Sequence, residues 1–434
     1  MVPGLRYRQV GISSPRPSGA PGEDSGRDGA HSIRLILPGG PAVLKSEPKM
    51  FPTEKEFVGW LQTLNQWSSP RLRLGIGDDA ALVEARCGHD IILTTDMSIE
   101  GVHFTCRLHP PPSVGHRALA RSLSDIAAMG GTPRYALVSL ALSRRTTRAW
   151  VEDFYRGFAA LAKRFGVALI GGDTALVAGR TMVDVIVAGE VPRGKALRRS
   201  GARPGDQIYV SGRLGLSALG LQLLRGAARP SQSPRAGPWP ALRRLGVLKP
   251  LWGADRLASG WPAIRRSPTL QSSGDGGLWA TGSHAPTRST AAEAVRVHLY
   301  PEPRCALGRY LSERRLASAL MDISDGLSID LARLCEASGV GACLSAERIP
   351  GPRLEDRQKS LALALHGGED YQLLFTVPPS KVTQIPSRFR GLPLHPIGEI
   401  QPRRGLRWIG MDGRVRALKP AGWDYFRAER RPPL

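Results

Sequence analysis

From Met50 onward the chain alternates between stretches with apolar residues every three or four positions and short runs of Val, Ile and Leu. FPTEKEFVGWLQTL sets Phe57, Trp60, Leu61 and Leu64 at helical spacing behind Thr53, an N-cap residue with Glu56 three positions on. DIILTTD (90–96) predicts a strand that ends on polar residues, and the spacing over 116–129 predicts a helix. YALVSLAL (135–142) reads as a buried strand and WVEDFYRGFAALAKRFG (150–166) as an amphipathic helix. VALIGGD (167–173) and MVDVIVAGEV (182–191) read as two more strands. Strands and helices in alternation predict an α/β layer architecture. A second block opens at GARPGDQIYVSG (201–212), runs through LGLSALGLQLL, resumes at HLYPEP (298–303) and continues through LLFTV to GWDYF.

Two regions break the pattern. Residues 1–49 are rich in Gly, Pro, Ser and Arg and predict a flexible extension. Residues 226–292 have the same character and read as a long loop or insertion, although Trp239, Trp252, Trp261 and Trp279 leave partial packing open. No repeat of solenoid period is present.

Composition narrows the class. At 434 residues with 41% hydrophobic content, the chain can bury a large core. No window approaches the ~18 uninterrupted apolar residues of a membrane span, and the N-terminus lacks the apolar centre of a secretory signal. Five scattered cysteines without a C-x-x-C pair argue against a disulfide framework or a zinc site, so a cytoplasmic setting is expected. The formal charge of +23 invites a nucleic-acid partner. The arginines are spread thinly, however, and no helix-turn-helix, zinc-finger or RNA-binding signature accompanies them.

The chemistry lies in the carboxylates. GEVPRGKA (189–196) approaches a P-loop, but Ala196 replaces the magnesium-binding hydroxyl, Pro192 stiffens the loop, and no long helix pattern follows. Aspartates recur beside Gly, Ser or Thr near strand ends in GIGDDAA (75–81), LTTDMSIEGVHF (93–104), SLSDIAAMGG (122–131), IGGDTA (170–175) and MDISDGLSIDL (321–331). Small neighbours let a bulky anionic ligand approach the backbone. Aspartate and threonine oxygens suit magnesium, which keeps several waters and bridges to phosphates. The adjacent Asp78 and Asp79 repel each other unless a cation or solvent intervenes.

In this order and setting the motifs resemble the thiamine-monophosphate kinase family, within the aminoimidazole ribonucleotide synthetase-like superfamily. The resemblance extends over most of 50–225 and 293–426 and includes GARPGD, HLYPEPR, GGEDYQLLFTV and GWDYF. It implies an α/β (α+β) two-domain architecture: a flexible extension at 1–49, an N-terminal ATP- and magnesium-binding, dimerising domain at 50–192, and a C-terminal α/β domain at 193–427 interrupted at 226–292. It implies transfer of a phosphoryl group from ATP to thiamine monophosphate with several Mg²⁺ ions, in a homodimer. By the same resemblance Asp79, Thr94, Thr95, Asp96, Asp125, Asp173, Asp322 and Asp325 are expected at magnesium, with catalytic parts for Asp125 and Asp322. Tyr155, Gly172, Asp173, Arg199 and Ser324 are expected at the nucleotide, and His103, Glu369 and Trp423 at thiamine monophosphate. Of the Asp78–Asp79 pair, Asp79 is the expected ligand, while Asp78 shapes the turn or holds metal-bound water.

Charge accounting agrees with this. ATP brings about four negative charges and a monophosphate about two, to which the aspartates add more; such a cleft needs several divalent cations. The acceptor phosphate is itself anionic, so direct in-line transfer needs no protein nucleophile. The sequence departs from the family pattern at Ala175, Leu176 and Leu216, and in the insertion. Two alternatives stay open at this point: another ATP-activating enzyme of the superfamily, and a basic nucleic-acid-associated protein.

Overall fold

The structure is a computed structural model that describes residues 54–64, 69–76, 81–227 and 286–422. The extension 1–49, most of the insertion, Asp78, Asp79 and Trp423 lie outside the described residues. The first part runs α1 (Glu54–Leu64), β1 (Leu72–Leu74), β2 (Leu82–Val83), β3 (His89–Ile99), α2 (Pro111–Ala128), β4 (Thr132–Ser143), α3 (Arg148–Phe165), β5 (Ala168–Val177) and β6 (Met182–Pro192). Four strands form one sheet in the order β3-β6-β4-β5, with β4 and β5 parallel and the other pairs antiparallel.

Burial along β4 has period two: Ala136, Val138, Leu140 and Leu142 are buried, while Leu137, Ser139 and Ala141 are only partly covered. The buried side packs under α2 and α3. Thr147 caps α3 by accepting from the Trp150 N–H at 3.2 Å, and Gly166 ends it in the left-handed region. The two helices touch backbone to backbone. A Cβ on Gly115 would stand 2.0 Å from the Phe154 carbonyl oxygen, and one on Gly157 would stand 1.9 Å from that of Pro112. That close approach fixes the axial position of α2, the helix that carries Asp125.

The second part comprises β7 (Gln207–Ser211), α4 (Leu216–Ala227), α5 (Arg288–Leu299), α6 (Cys305–Glu313), β8 (Ala319–Ile323), α7 (Leu327–Ser338), β9 (Gly341–Ser345), α8 (Arg357–His366), β10 (Gln372–Val377), β11 (Arg388–Phe389), β12 (Leu392–Gln401), β13 (Gly405–Ile409) and β14 (Val415–Ala417). Its sheet has the order β14-β13-β9-β12-β7-β10-β8, with β11 paired to β12. The largest core cluster spans both parts, joining Leu123, Leu140 and Phe154 to Leu311, Leu320, Leu373 and Phe375. Gly308 of α6 seals the junction, for a Cβ there would fall 2.0 Å from the Ala127 carbonyl oxygen of α2.

Three boundaries differ from the sequence expectation. The range 226–292 was expected as a long loop or insertion, yet α5 begins at Arg288; the Thr287 side chain accepts from the Thr290 N–H, and the alanine-rich turn behind it favours helix. Helix α2 begins at Pro111 rather than His116, because Pro111 and Pro112 occupy first-turn positions that have no need of an N–H. β5 continues to Val177 through the glycine pair, with a register shift opposite Ala136 and Leu137.

Candidate active site

The site forms where α2 faces the second sheet. On β3, Thr94 and Asp96 are partly covered on the side that carries buried Ile92 and Ser98, whereas Ile91, Leu93, Thr95 and Met97 alternate onto the other side and are exposed. Thr94 donates its hydroxyl proton to Asp125 Oδ2. Ser124, the neighbour of Asp125 on α2, donates to Asp322 Oδ2 at 2.7 Å, and Asp322 is buried near the end of β8. Asp96, Asp125 and Asp322 therefore share one electrostatic neighbourhood drawn from three elements of two domains.

Their protonation reflects that crowding. Burial raises the Asp96 carboxyl to about 7, with Arg121 opposing and Asp125 adding to the shift. Burial raises Asp322 to about 8, and repulsion from Asp125 adds to it. Buried carboxylates held together without a cation keep protons; a divalent cation would displace them. Among the described residues no three His, Cys, Asp or Glu side chains close into a preformed cage. Open hard-oxygen donors fit magnesium, which retains water and takes its remaining ligands from phosphates.

The loop after β8 extends this neighbourhood. Asp330, fully buried on α7, accepts through Oδ2 from the N–H groups of Ser324, Asp325 and Gly326 at 3.0–3.1 Å. Arg333 bridges Asp325 and Asp330. The Ser324 carbonyl in turn accepts from the Glu369 N–H at 2.7 Å. Glu369 has φ 64°, in the left-handed region that a non-glycine residue adopts only when its surroundings hold it there. Burial opposes ionisation of Glu369, but Arg117 and Arg121 outweigh it and hold the carboxyl below its ordinary range. His103 belongs to the same field. Burial first, and Arg121 next, lower its imidazole to about 4, so the ring is neutral near pH 7.

Other expected residues stand elsewhere. Thr95 donates to Asp184 Oδ1 at 2.7 Å on the open face of the first sheet. Asp173 pairs in register with Ser139, as does Asp184, so it shares that open face. Thr95 and Asp173 are thus on the opposite side of the sheet from the Asp96–Asp125–Asp322 group. Gly172 is required by packing, since a Cβ would lie 2.0 Å from the Val138 carbonyl oxygen. Arg199 is exposed on the segment between β6 and β7, its carbonyl accepting from Ser338 Oγ at 3.0 Å.

Tyr155 departs furthest from expectation. Its side chain is 2% exposed and its ring meets Phe57, Trp60, Phe154 and Phe158 in the core. The apolar stripe of α3 turns this position inward, and its ring packs in the core. Asp79 and Trp423 lie outside the described residues.

Sequence reasoning passed over Arg117 and Arg121. The signal was available: positions 117, 121 and 125 are one helical turn apart in a helix otherwise built of small and apolar residues, so they form one polar stripe. Arg121 Nη2 lies 3.5 Å from Asp96 Oδ1, and Arg117 Nη2 lies 2.6 Å from Glu369 Oε1.

Comparison with known proteins adds independent information. Residues 77–191 match the model of the AIR synthase related protein, N-terminal domain, and residues 270–409 match its C-terminal domain. Thiamine-monophosphate kinase of Bacillus subtilis is 32% identical over 361 residues, which cover 82% of this chain and 94% of that protein. The crystal structure of thiamine-monophosphate kinase from Stenotrophomonas maltophilia is similar with a TM-score of 0.61 and 31% identity, covering 84% of this chain and 97% of that one. A solved structure of AaThiL complexed with AMPPCP and TMP is similar with a TM-score of 0.56 and 28% identity, covering 86% and 97%.

Proposed function

The chain belongs to the thiamine-monophosphate kinase family, and from that membership we infer that it transfers the terminal phosphoryl group of ATP to thiamine monophosphate, giving thiamine diphosphate and ADP. The observation that carries this reading is the convergence of Asp96, Asp125 and Asp322 beside Glu369 and His103. One group suits hard cations on phosphate; the other suits a ligand with a cationic ring.

Asp96, Asp125 and Asp322, with Thr94 and Asp325 at the margin, are the residues proposed to hold Mg²⁺. Bound there, magnesium would neutralise the phosphate oxygens and favour in-line attack. Asp79 is proposed to join them on the resemblance of GIGDDAA alone. Ser124 fixes the Asp322 carboxylate, and Asp330 fixes the backbone of Ser324 and Asp325, so the donors are oriented before ligand arrives. Ser324 is proposed at the nucleotide. Neutral His103 and ionised Glu369 are proposed to orient thiamine monophosphate, with Trp423 stacking on its cationic ring. Arg121, next to Asp96, contributes positive charge where the transferred group accumulates negative charge.

A homodimer is proposed through the open face of the first sheet. Ile91, Leu93 and Met97 on that face are 51–70% exposed, a run of apolar area that monomeric proteins seldom leave bare. Among the described residues no helix is long and apolar enough to cross a membrane.

The direct test is product analysis with ATP, Mg²⁺ and thiamine monophosphate, with free thiamine as the control acceptor. Thiamine diphosphate and ADP in equal amounts, with no product from free thiamine, are expected. ATP hydrolysis without thiamine diphosphate would overturn the reading.

A further inference from the structure

A buried polar chain crosses the junction between the two domains behind Glu369. His109 precedes α2, and its Nε2 lies 3.0 Å from His298 Nε2 on α5. His298 Nδ1 lies 3.0 Å from Ser217 Oγ on α4. Arg117, one side of which faces the same pair, donates through Nη1 to the His298 carbonyl and through Nη2 to Glu369 Oε1 at 2.6 Å. His109, His298, Ser217 and Arg117 are all 5% exposed or less. The Glu369 side chain is 27% exposed, so its carboxylate is held from behind and open in front.

The partners limit the protons this chain can carry. The Nε2–Nε2 contact accommodates a single hydrogen. The Arg117 guanidinium, 3.5 Å from His298 Nδ1, disfavours a proton on that nitrogen, which shares a hydrogen bond with Ser217 Oγ. His109 Nδ1 lies 3.1 Å from the Thr105 N–H and 3.2 Å from the Thr105 carbonyl, so the pair has two neutral arrangements that differ in which ring supplies the Nε2 hydrogen. Both rings are neutral, which burial alone also favours. A neutral pair leaves the Arg117 guanidinium directed to the Glu369 carboxylate, with which it forms an ion pair.

We propose that Arg117 is a positioning residue for substrate, aiming the Glu369 carboxylate across the domain junction while the His109–His298 pair holds the guanidinium in place. The proposal rests on the reading that Glu369 binds thiamine monophosphate. Arg117 itself acts through Glu369 and touches neither the reacting phosphates nor the metal-binding aspartates. A lysine would not replace it, because a single ammonium cannot span the His298 carbonyl and the Glu369 carboxylate together.

A double-mutant cycle on the full chain tests this. Wild-type turnover of thiamine monophosphate, measured first, checks the underlying reading separately. Arg117→Gln is expected to raise the KM for thiamine monophosphate at least about tenfold, with kcat within about threefold and the KM for ATP unchanged. Arg117→Lys is expected to recover part of that loss. In a Glu369→Gln background, Arg117→Gln is expected to add less than about twofold. Multiplicative effects in the double variant, or a fall in kcat with both KM values unmoved, would overturn the proposal. If Arg117→Gln shows no cooperative unfolding transition, the same cycle run with Arg117→Lys decides by the same criterion.

Discussion

The two faces of the first sheet are built from the same strands and have opposite characters. On β3 the residues directed at the protein interior are Ile92, Thr94, Asp96 and Ser98, and those directed outward are Ile91, Leu93, Thr95 and Met97. The usual order, apolar in and polar out, is inverted over the second half of the strand. The inner face can tolerate Thr94 and Asp96 because α2 supplies polar partners, Asp125 and Arg121, at the end of its packed surface. The outer face has no such helix among the described residues, and its leucines and methionines remain exposed. An inverted strand of this kind fits the two roles proposed for it, chemistry on one side and association on the other.

The comparison can be broken most severely on the inner side. Asp125→Asn keeps the size of the side chain and removes the charge at the centre of the carboxylate group. A fall in kcat of at least about a hundredfold is expected, a barrier increase of about 3 kcal/mol. Folding should survive, because less repulsion remains among Asp96, Asp125 and Asp322. Near-normal kcat in a folded variant would remove the inner face from the chemistry.

A second test probes how dry the packing around α2 is. His116 is buried, its Nε2 lies 2.8 Å from the Pro301 carbonyl, and burial pushes its imidazole down to about 4. The unfolded chain takes up this proton first as pH falls below about 6.5, so the folded state loses stability from there down to about pH 4. Wild type should therefore lose about 2–3 kcal/mol more than His116→Gln between pH 7 and 4.5. Urea midpoints measured across that range check the sign; equal acid slopes would mean that the imidazole is solvated.

On the outer side, Leu93→Glu should weaken self-association at least about thirtyfold, from ~2 kcal/mol of apolar burial per chain. Sedimentation equilibrium reads this directly. A wild-type protein that is monomeric at micromolar concentration would leave the apolar face without its proposed occupant. The smallest effect sharpens the contrast within two adjacent residues. Thr94→Val removes the hydroxyl that orients Asp125 and should slow turnover about fivefold, from ~1 kcal/mol for one hydrogen bond. Thr95→Val removes only the bond to Asp184 and should change turnover less than about twofold in the same assay. Equal losses at both positions would show that the two faces serve one site.

Local pattern made much of this legible. The strand at 90–96 and the amphipathic helix at 150–166 follow from periodicity, and Asp125 was expected at magnesium from the family resemblance of its motif. Tyr155, expected at the nucleotide, lies buried in the core, and an aromatic on an amphipathic helix has the same sequence signature whether it packs or binds. Arg117 was overlooked because its partner Glu369 is 252 residues away and no local rule links them.

The sequence by itself determined which segments are strands and helices, since burial of an apolar stripe is a local periodic demand. It also carried the family membership, since the aspartate motifs stand in an order and setting that chance seldom produces. Tertiary structure alone decided which face of β3 meets α2, and so separated Thr94 from Thr95. It alone brought Arg117 to Glu369 and His109 to His298, because hydrogen bonds between distant segments exist only after the core has brought those segments together.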